Sequence, residues 1–226
     1  MYKYETHCHT KMISACASLT AEQIVELYVK NGYSGVFITD HFLNGNTTVD
    51  RRLPYKEQID RFFEGYEDVK KVAGNSLQVF FGFEYSYRGT DVLVYGWNKL
   101  QLKNRVAIMS MSMKEFCIYC GEQGVLAVQA HPFREADYID HIRLYPETEG
   151  VEVYNACRTD LCNDLGAFYA EKYGKVVTAG TDIHHFTQKK LSGMEFDKKI
   201  NSEAEFIAAI RSGKGKIIKT DNVLIK

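Results

Sequence analysis

Apolar runs and amphipathic stripes alternate along the 226 residues of this chain. Residues 2–8, 35–40, 77–85, 91–96, 125–130, 151–156 and 175–180 are rich in β-branched and aromatic side chains and read as strands. Helical patterns separate most of them. Thr20 with Gln23 forms a capping box, and the stripe Ile24, Leu27, Tyr28 stops at Gly32. After Pro54 the stripe Ile59, Phe62, Phe63, Tyr66, Val69 predicts one helix ending at Gly74. Ser112 with Glu115 starts a helix through Glu122, and another spans Asp160 to Tyr173. Ser202 with Glu205 caps a last helix ending near Gly213, and IIK near 218 reads as a short closing strand.

Strands alternating with helices predict an α/β fold with a largely parallel sheet. Roughly seven strand–helix units, with no GxGxxG turn, favour a closed TIM-like barrel over a dinucleotide-binding open sheet. With three prolines, no linker-like tract and no internal repeat, residues 1–226 read as a single domain.

Composition narrows the function classes. The 45% hydrophobic and 25% charged content is ordinary for a globular chain. A net charge of -1 and no basic run argue against long nucleic acid as a partner. No stretch approaches the ~18 apolar residues of a membrane span, and MYKYETHCHT lacks a signal-peptide core. The expected compartment is therefore the cytoplasm, with the six cysteines reduced. Cys117 and Cys120 form a CxxC inside a helical pattern with no second pair, which favours packing over a zinc or redox role.

The histidines are not scattered. His7 and His9 end the first strand, and on a strand they share a face. His41 ends ITDH, His131 follows VLAVQA, and His184 follows TAGTD. Glu84 ends FFGFE and Asp182 follows VVTAG. In a parallel barrel all these strand ends lie on one face, where such folds build their sites. Residues of metal-ligand type at every one of them predict a metal site. Cys8, between the two first histidines, faces the other way and reads as a small core residue.

HCH at 7–9, TDH at 39–41, GFE at 82–84, AHPF at 130–133 and GTDIHH at 180–185 occur in an order that resembles the PHP family, named for polymerase and histidinol phosphatase. The resemblance implies a distorted (β/α)7 barrel, two or three divalent metal ions (Mn, Fe or Zn) and hydrolysis of a small phosphoester by a metal-bound hydroxide. Carried over, His7, His9, Glu84 and Asp182 would hold one metal, with Glu84 bridging to a second that His131 also binds. His41 and His184 would form a third site. That site lacks one ligand, because Ala15 stands in SAC where many members carry His or Asp. Asp91 stands before VLVYG where many carry His; it is either a ligand favouring Mn²⁺ or Fe²⁺ or a solvent-facing strand residue.

Two metals ~3.5–4 Å apart lower the pKa of a bound water and clamp the phosphoryl oxygens. Arg134 and Arg158 follow strand ends and are candidates to orient phosphate, as against solvated loop arginines; Arg88 favours the solvated reading. Asp40 is either an orienting partner of an imidazole or a proton carrier. Tyr154 and Phe133 are placed to line a pocket, His141 reads as surface and His185 as exposed. The expected activity is that of a metal-dependent phosphatase-type hydrolase acting on a small phosphorylated substrate, such as histidinol phosphate, a nucleotide or a sugar phosphate. A carbon–nitrogen or ester hydrolase of amidohydrolase type and a non-catalytic metal-binding domain are the alternatives. Nothing in the sequence fixes the oligomeric state.

Overall fold

YKYETHC forms the strand Tyr2–Cys8 (β1). In a computed structural model, which describes residues 1–221, 223 and 224, it lies within one nine-stranded sheet. The other strands are Gly35–Ile38 (β2), Gln78–Tyr87 (β3), Thr90–Tyr95 (β4), Leu126–Ala130 (β5), Gly150–Asn155 (β6), Val176–Gly180 (β7), Leu191–Phe196 (β8) and Lys216–Thr220 (β9). Their order is β7-β6-β5-β4-β3-β2-β1-β8-β9. The sheet curls until the end of β7 meets β1. There Asp182 N–H donates to His7 O at 2.9 Å, and Thr6 Oγ1 donates to Ala179 O at 2.7 Å. The barrel is thus nearly closed, and β8 and β9 extend the sheet beyond β1.

The strand ends expected to share a rim do share it, because β1, β2, β3, β5, β6 and β7 run the same way. The strict (β/α)7 alternation is not met. β3 turns straight back into β4 through Arg88 and Gly89, whose φ angles of 50° and 80° suit a tight hairpin. A long loop, not a helix, joins β5 to β6, and β8 and β9 pair antiparallel. Because β4 runs against its neighbours, its first residues lie on the same rim as the other strands' last ones.

The helices follow their caps. Ala21–Lys30 (α1) and Met113–Glu122 (α5) each carry a complete capping box, from Thr20 and Ser112. Asp160–Tyr173 (α6) ends at Gly174 in the left-handed conformation. The helix predicted after Pro54 is two, Tyr55–Phe62 (α2) and Glu64–Ala73 (α3), interrupted at Phe63. Lys99–Lys103 (α4) has its own capping box, from Asn98. No helix among the described residues is long and apolar enough to cross a membrane.

Side-chain alternation sorts the core. Val36 and Ile38 of β2 pack with Ile24 and Tyr28 of α1, whereas Phe37 faces the other way. It joins Tyr4, Phe80, Tyr95 and Leu126 inside the barrel, with Phe206 and Ile210 of Glu203–Arg211 (α7) packed on them. Cys8 is buried under α1, and Cys117 and Cys120 pack in the cluster around Phe83 and Phe116.

β1 carries an irregularity between Glu5 and Cys8, which lets both Tyr4 and His7 face inward. The wholly buried Glu5 carboxylate holds it. Oε1 accepts from Thr6 N at 2.9 Å and from His7 N and Thr181 N at 2.8 Å. Oε2 accepts from Tyr28 Oη at 2.8 Å and from Thr181 Oγ1. Burial raises the Glu5 pKa to about 7, against the opposing pull of the Thr181, His7 and Tyr28 hydrogen bonds. Glu5→Ala strands these donors in the interior and is expected to lower the unfolding free energy by about 3–5 kcal/mol in a urea titration. A loss under about 1 kcal/mol would show that the β1–β7 seam holds without it.

Candidate metal centre

All eight residues expected as metal ligands meet at the strand C-terminal rim. Glu84, near the end of β3, lies at the centre. Its Oε1 is 3.5 Å from His7 Nε2 and 3.3 Å from His131 Nε2. Its Oε2 is 3.4 Å from His9 Nε2 and 2.8 Å from His41 Nδ1. Asp182 Oδ1 lies 3.5 Å from His7 Nε2, 3.4 Å from His9 Nε2 and 3.3 Å from His184 Nδ1. Four groups of three could each share an ion: His7, His9 and Glu84; His7, His131 and Asp182; Glu84, Asp91 and His131; His9, His41 and His184. Asp91 is buried rather than solvent-facing, because the hairpin carries the start of β4 to this rim.

The site fits divalent cations on its own chemistry. Both Glu84 oxygens, Asp91 Oδ2 and His41 Nδ1 are buried without a hydrogen-bond partner. His41 Nδ1 and Glu84 Oε2 are close but off the line of a hydrogen bond, as befits two donors aimed at a common ion. His7 Nε2 and His9 Nε2 are 3.1 Å apart, which leaves room for at most one proton between them. Burial alone would raise the Glu84 carboxyl; the His41 and His7 charges outweigh it and hold it well below the usual range. Burial, with the His184 charge, drives His9 down to about 3. Burial also opposes charge on His41, yet Glu84 and Cys16 lift it to about 11. The cluster thus balances buried carboxylates with positive charge, a part that a cation can take.

The backbone is bent to this purpose. His131 and Asp182 have φ of 27° and 57°, positions that cost of order 1–3 kcal/mol and cluster at functional sites. Gly180 admits the His7 ring: a Cβ there would lie 2.5 Å from His7 Cβ and 2.8 Å from Glu152 Oε1.

Sequence reasoning missed Glu152. In VEVYN it reads as one charge in a β-branched run, but it is buried and its Oε1 is 2.9 Å from His7 Nδ1. Its Oε2 accepts from His131 N at 3.1 Å and from Asn155 Nδ2 at 2.9 Å. A carboxylate in a wholly buried strand was the signal that could have found it. Ser14 and Cys16 were also missed. Asp40 is buried and accepts from Thr10 N at 2.7 Å, Thr10 Oγ1 at 2.8 Å and Ser14 Oγ at 2.7 Å. Ser14 Oγ lies 3.0 Å from His9 Nδ1, so Asp40 reaches His9 through Ser14.

Above the ligands opens a cleft of about 440 Å³, lined also by Cys16, Ser86, Arg134, Tyr138 and Arg158. Arg158 Nη2 is 3.0 Å from Asp182 Oδ2, and Arg134 Nη2 is 3.2 Å from Asp91 Oδ2. Arg88 is exposed at the hairpin tip, and His141 and His185 are exposed. Tyr154 and Phe133 do not line the cleft: Tyr154 packs in the barrel core and Phe133 against Tyr169. A larger groove, about 700 Å³, passes Trp97 and Arg211, away from all four candidate metal groups.

No family model and no curated protein matches this sequence. Solved structures do. A two-domain protein from Bacteroides vulgatus containing a predicted PHP-like metal-dependent phosphoesterase superposes with a TM-score of 0.67 at 12% identity, over 96% of this chain and 64% of that one. The likeness is one of fold. The chain spans less than two thirds of that protein. The lesion-specific endonuclease EndoQ from Pyrococcus furiosus gives 0.60 at 14% identity, over 96% of this chain and 57% of that one. An amidohydrolase from Chromobacterium violaceum with bound sulfate and no metal gives 0.52 at 11% identity, over 96% and 98%. The barrel therefore accommodates neighbours described with different chemistries, and the side chains in the cleft must decide among them.

Glu152 fixes the tautomer and tilt of His7 from behind. Glu152→Ala is expected to weaken Mn²⁺ binding roughly 10–100-fold by titration calorimetry while the fold persists. Unchanged affinity would mean that His7 needs no such support.

Proposed function

We propose that this chain is a metal-dependent phosphoesterase that hydrolyses a small phosphomonoester. One observation carries the reading. Two arginines, Arg134 and Arg158, line the cleft above a buried cluster of imidazoles and carboxylates, each paired to a different carboxylate of that cluster. Planar guanidiniums suit bidentate capture of a phosphoryl group, and the cleft is sized for a small ligand. The phosphoesterase and endonuclease among the structural neighbours agree with phosphorus chemistry, and the sulfate of the third shows a tetrahedral anion bound to a similar barrel.

His7, His9, Glu84 and Asp182 would hold one divalent ion and His131, with Glu84 and Asp91, a second; bound there, such ions supply an activated water and positive charge opposite the phosphoryl oxygens. The chain's own residues do the rest. Arg134 and Arg158 exchange their carboxylate partners for phosphoryl oxygens and align the ester. Glu152 fixes the Nδ1 side of His7, which leaves Nε2 to face the centre. Asp40 is a positioning residue, because its oxygens are taken up by Thr10 and Ser14 and touch the centre only through His9. Burial raises its pKa to about 6, against the pull of the Thr10 and Ser14 hydrogen bonds.

Phosphate release from a panel of phosphomonoesters, with Mn²⁺-reconstituted protein, tests the reading. Arg158→Ala and Arg134→Ala are each expected to cost roughly 10²–10³ in kcat/KM, and inorganic phosphate to inhibit competitively. Hydrolysis of a carbon–nitrogen bond that is indifferent to both arginines would replace it with the amidohydrolase alternative. Bound metal with no turnover on either class would leave a non-catalytic metal-binding domain.

A further inference from the structure

The long loop between β5 and β6 is tied down where it passes the β3–β4 hairpin. Arg134 Nη2 donates to Gly89 O at 3.2 Å, and Arg143 Nη1 donates to Arg88 O at 2.9 Å. Gln129 of β5 anchors the same loop: its Nε2 donates to Arg143 O at 2.7 Å and its Oε1 accepts from Tyr145 N at 3.0 Å. Ile139 rests on the hairpin tip, where a Cβ on Gly89 would lie 3.1 Å from Ile139 Cγ1. Tyr138 is thereby held beside the tip, with its Cε2 3.6 Å from that same point. The Arg134 guanidinium lies over the Tyr138 ring, 5.6 Å from its centroid. Even so, Tyr138 is 70% exposed, and it lines the cleft above the candidate metal ligands. A large aromatic side chain is thus fixed on the cleft wall with most of its surface uncovered.

We infer that Tyr138 is a specificity-determining residue, the platform on which a planar ring of the substrate stacks. The phosphomonoester then carries an aromatic or heteroaromatic group and not an open polyol chain. The size of the cleft, about 440 Å³, suits a whole small ligand rather than a phosphoryl group alone. Arg134 links the two halves of such a ligand. Its Nη2 lies 3.2 Å from Asp91 Oδ2 in the cluster, while its guanidinium overlies Tyr138. A phosphoryl group taken up by Arg134 therefore has the Tyr138 ring as its neighbour, and a ring joined to it by a short link meets that surface. The rest of the lining argues against a polyol. Apart from the metal-type ligands and the two arginines, it offers one amide, on Asn46, and two hydroxyls, on Ser86 and Tyr138. Gly45 adds only backbone, since a Cβ there would lie 2.7 Å from Ser86 Oγ. Such a lining leaves most hydroxyls of a sugar chain without partners, whereas a flat ring gains by stacking on an aromatic face.

The inference rests on the phosphomonoesterase reading, and non-hydrolysable ligands separate the two. The full chain, reconstituted with Mn²⁺, is titrated by calorimetry with 2-phenylethylphosphonate and with 2-cyclohexylethylphosphonate, which match in charge and reach but differ in planarity. The expected result is binding of the phenyl compound roughly 5–10-fold tighter than the cyclohexyl one. Tyr138→Ala and Tyr138→Leu bring the two affinities together, and Tyr138→Phe keeps them apart. Equal affinities in the unmodified protein overturn the inference. So does a ratio that survives Tyr138→Ala while both affinities fall, because Tyr138 then only props Arg134. A ring preference that depends on Tyr138, in a protein that releases phosphate from no phosphomonoester, keeps the ring site and overturns the phosphomonoesterase reading. Binding of neither phosphonate overturns both. A thermal melt by circular dichroism confirms that the variants compared are folded.

Discussion

A single buried carboxylate, Glu5, sets the geometry on which the rest of the molecule depends. It gathers two backbone N–H groups of its own strand and ties them to Thr181, at the other edge of the barrel, and to Tyr28 on the covering helix. The β1 irregularity would otherwise leave those donors unpaired in a dry interior, where each costs about 1–3 kcal/mol. With Glu5 in place, the seam between β1 and β7 closes and His7 and Asp182 come to lie side by side. A side chain that never touches the cleft thus helps decide where the cleft's imidazoles and carboxylates stand.

The polar centre is built above an apolar plug. Tyr4, Phe37, Phe80 and Tyr95 fill the lower barrel with α7 against them, and only the upper rim carries imidazoles and carboxylates. The packed base makes the rim rigid, so strain at His131 and Asp182 can be borne without relaxing. A second layer of Glu152, Ser14 and Asp40 then fixes individual rings. Rigid support of this kind holds the imidazole and carboxylate atoms at fixed separations, as binding a metal there would require.

Much of this was legible in the sequence, for physical reasons. His7, His9, His41, His131 and His184 stand at or just past strand ends, and in a barrel topology alone places such residues together. The helices that begin at Thr20, Ser112 and Ser202 were legible because their capping residues are local signals. What escaped notice depended on distant partners. β8 reads LSGMEF, with little apolar periodicity, because Gly193 must pass close to Tyr4 O: a Cβ there would lie 2.2 Å from it. Cys16 sits in a loop whose position is set by His184, far along the chain. Glu152 looked like an ordinary polar residue of a strand until its burial was known. The direction of β4 hung on two residues, Arg88 and Gly89, whose left-handed backbone was not read as a hairpin.

That hairpin also acts as a ruler. Glu84 descends to the rim on one arm and Asp91 climbs away from it on the other, with Ser86 and Asp91 directly paired across the ladder. Their separation is set by the length of the turn, not by the slower geometry of a helix crossover. One residue added to the turn would shift the register and send Asp91 to the outer face. The distance between the Glu84 and Asp91 carboxylates is therefore written in two residues outside the cluster, Arg88 and Gly89.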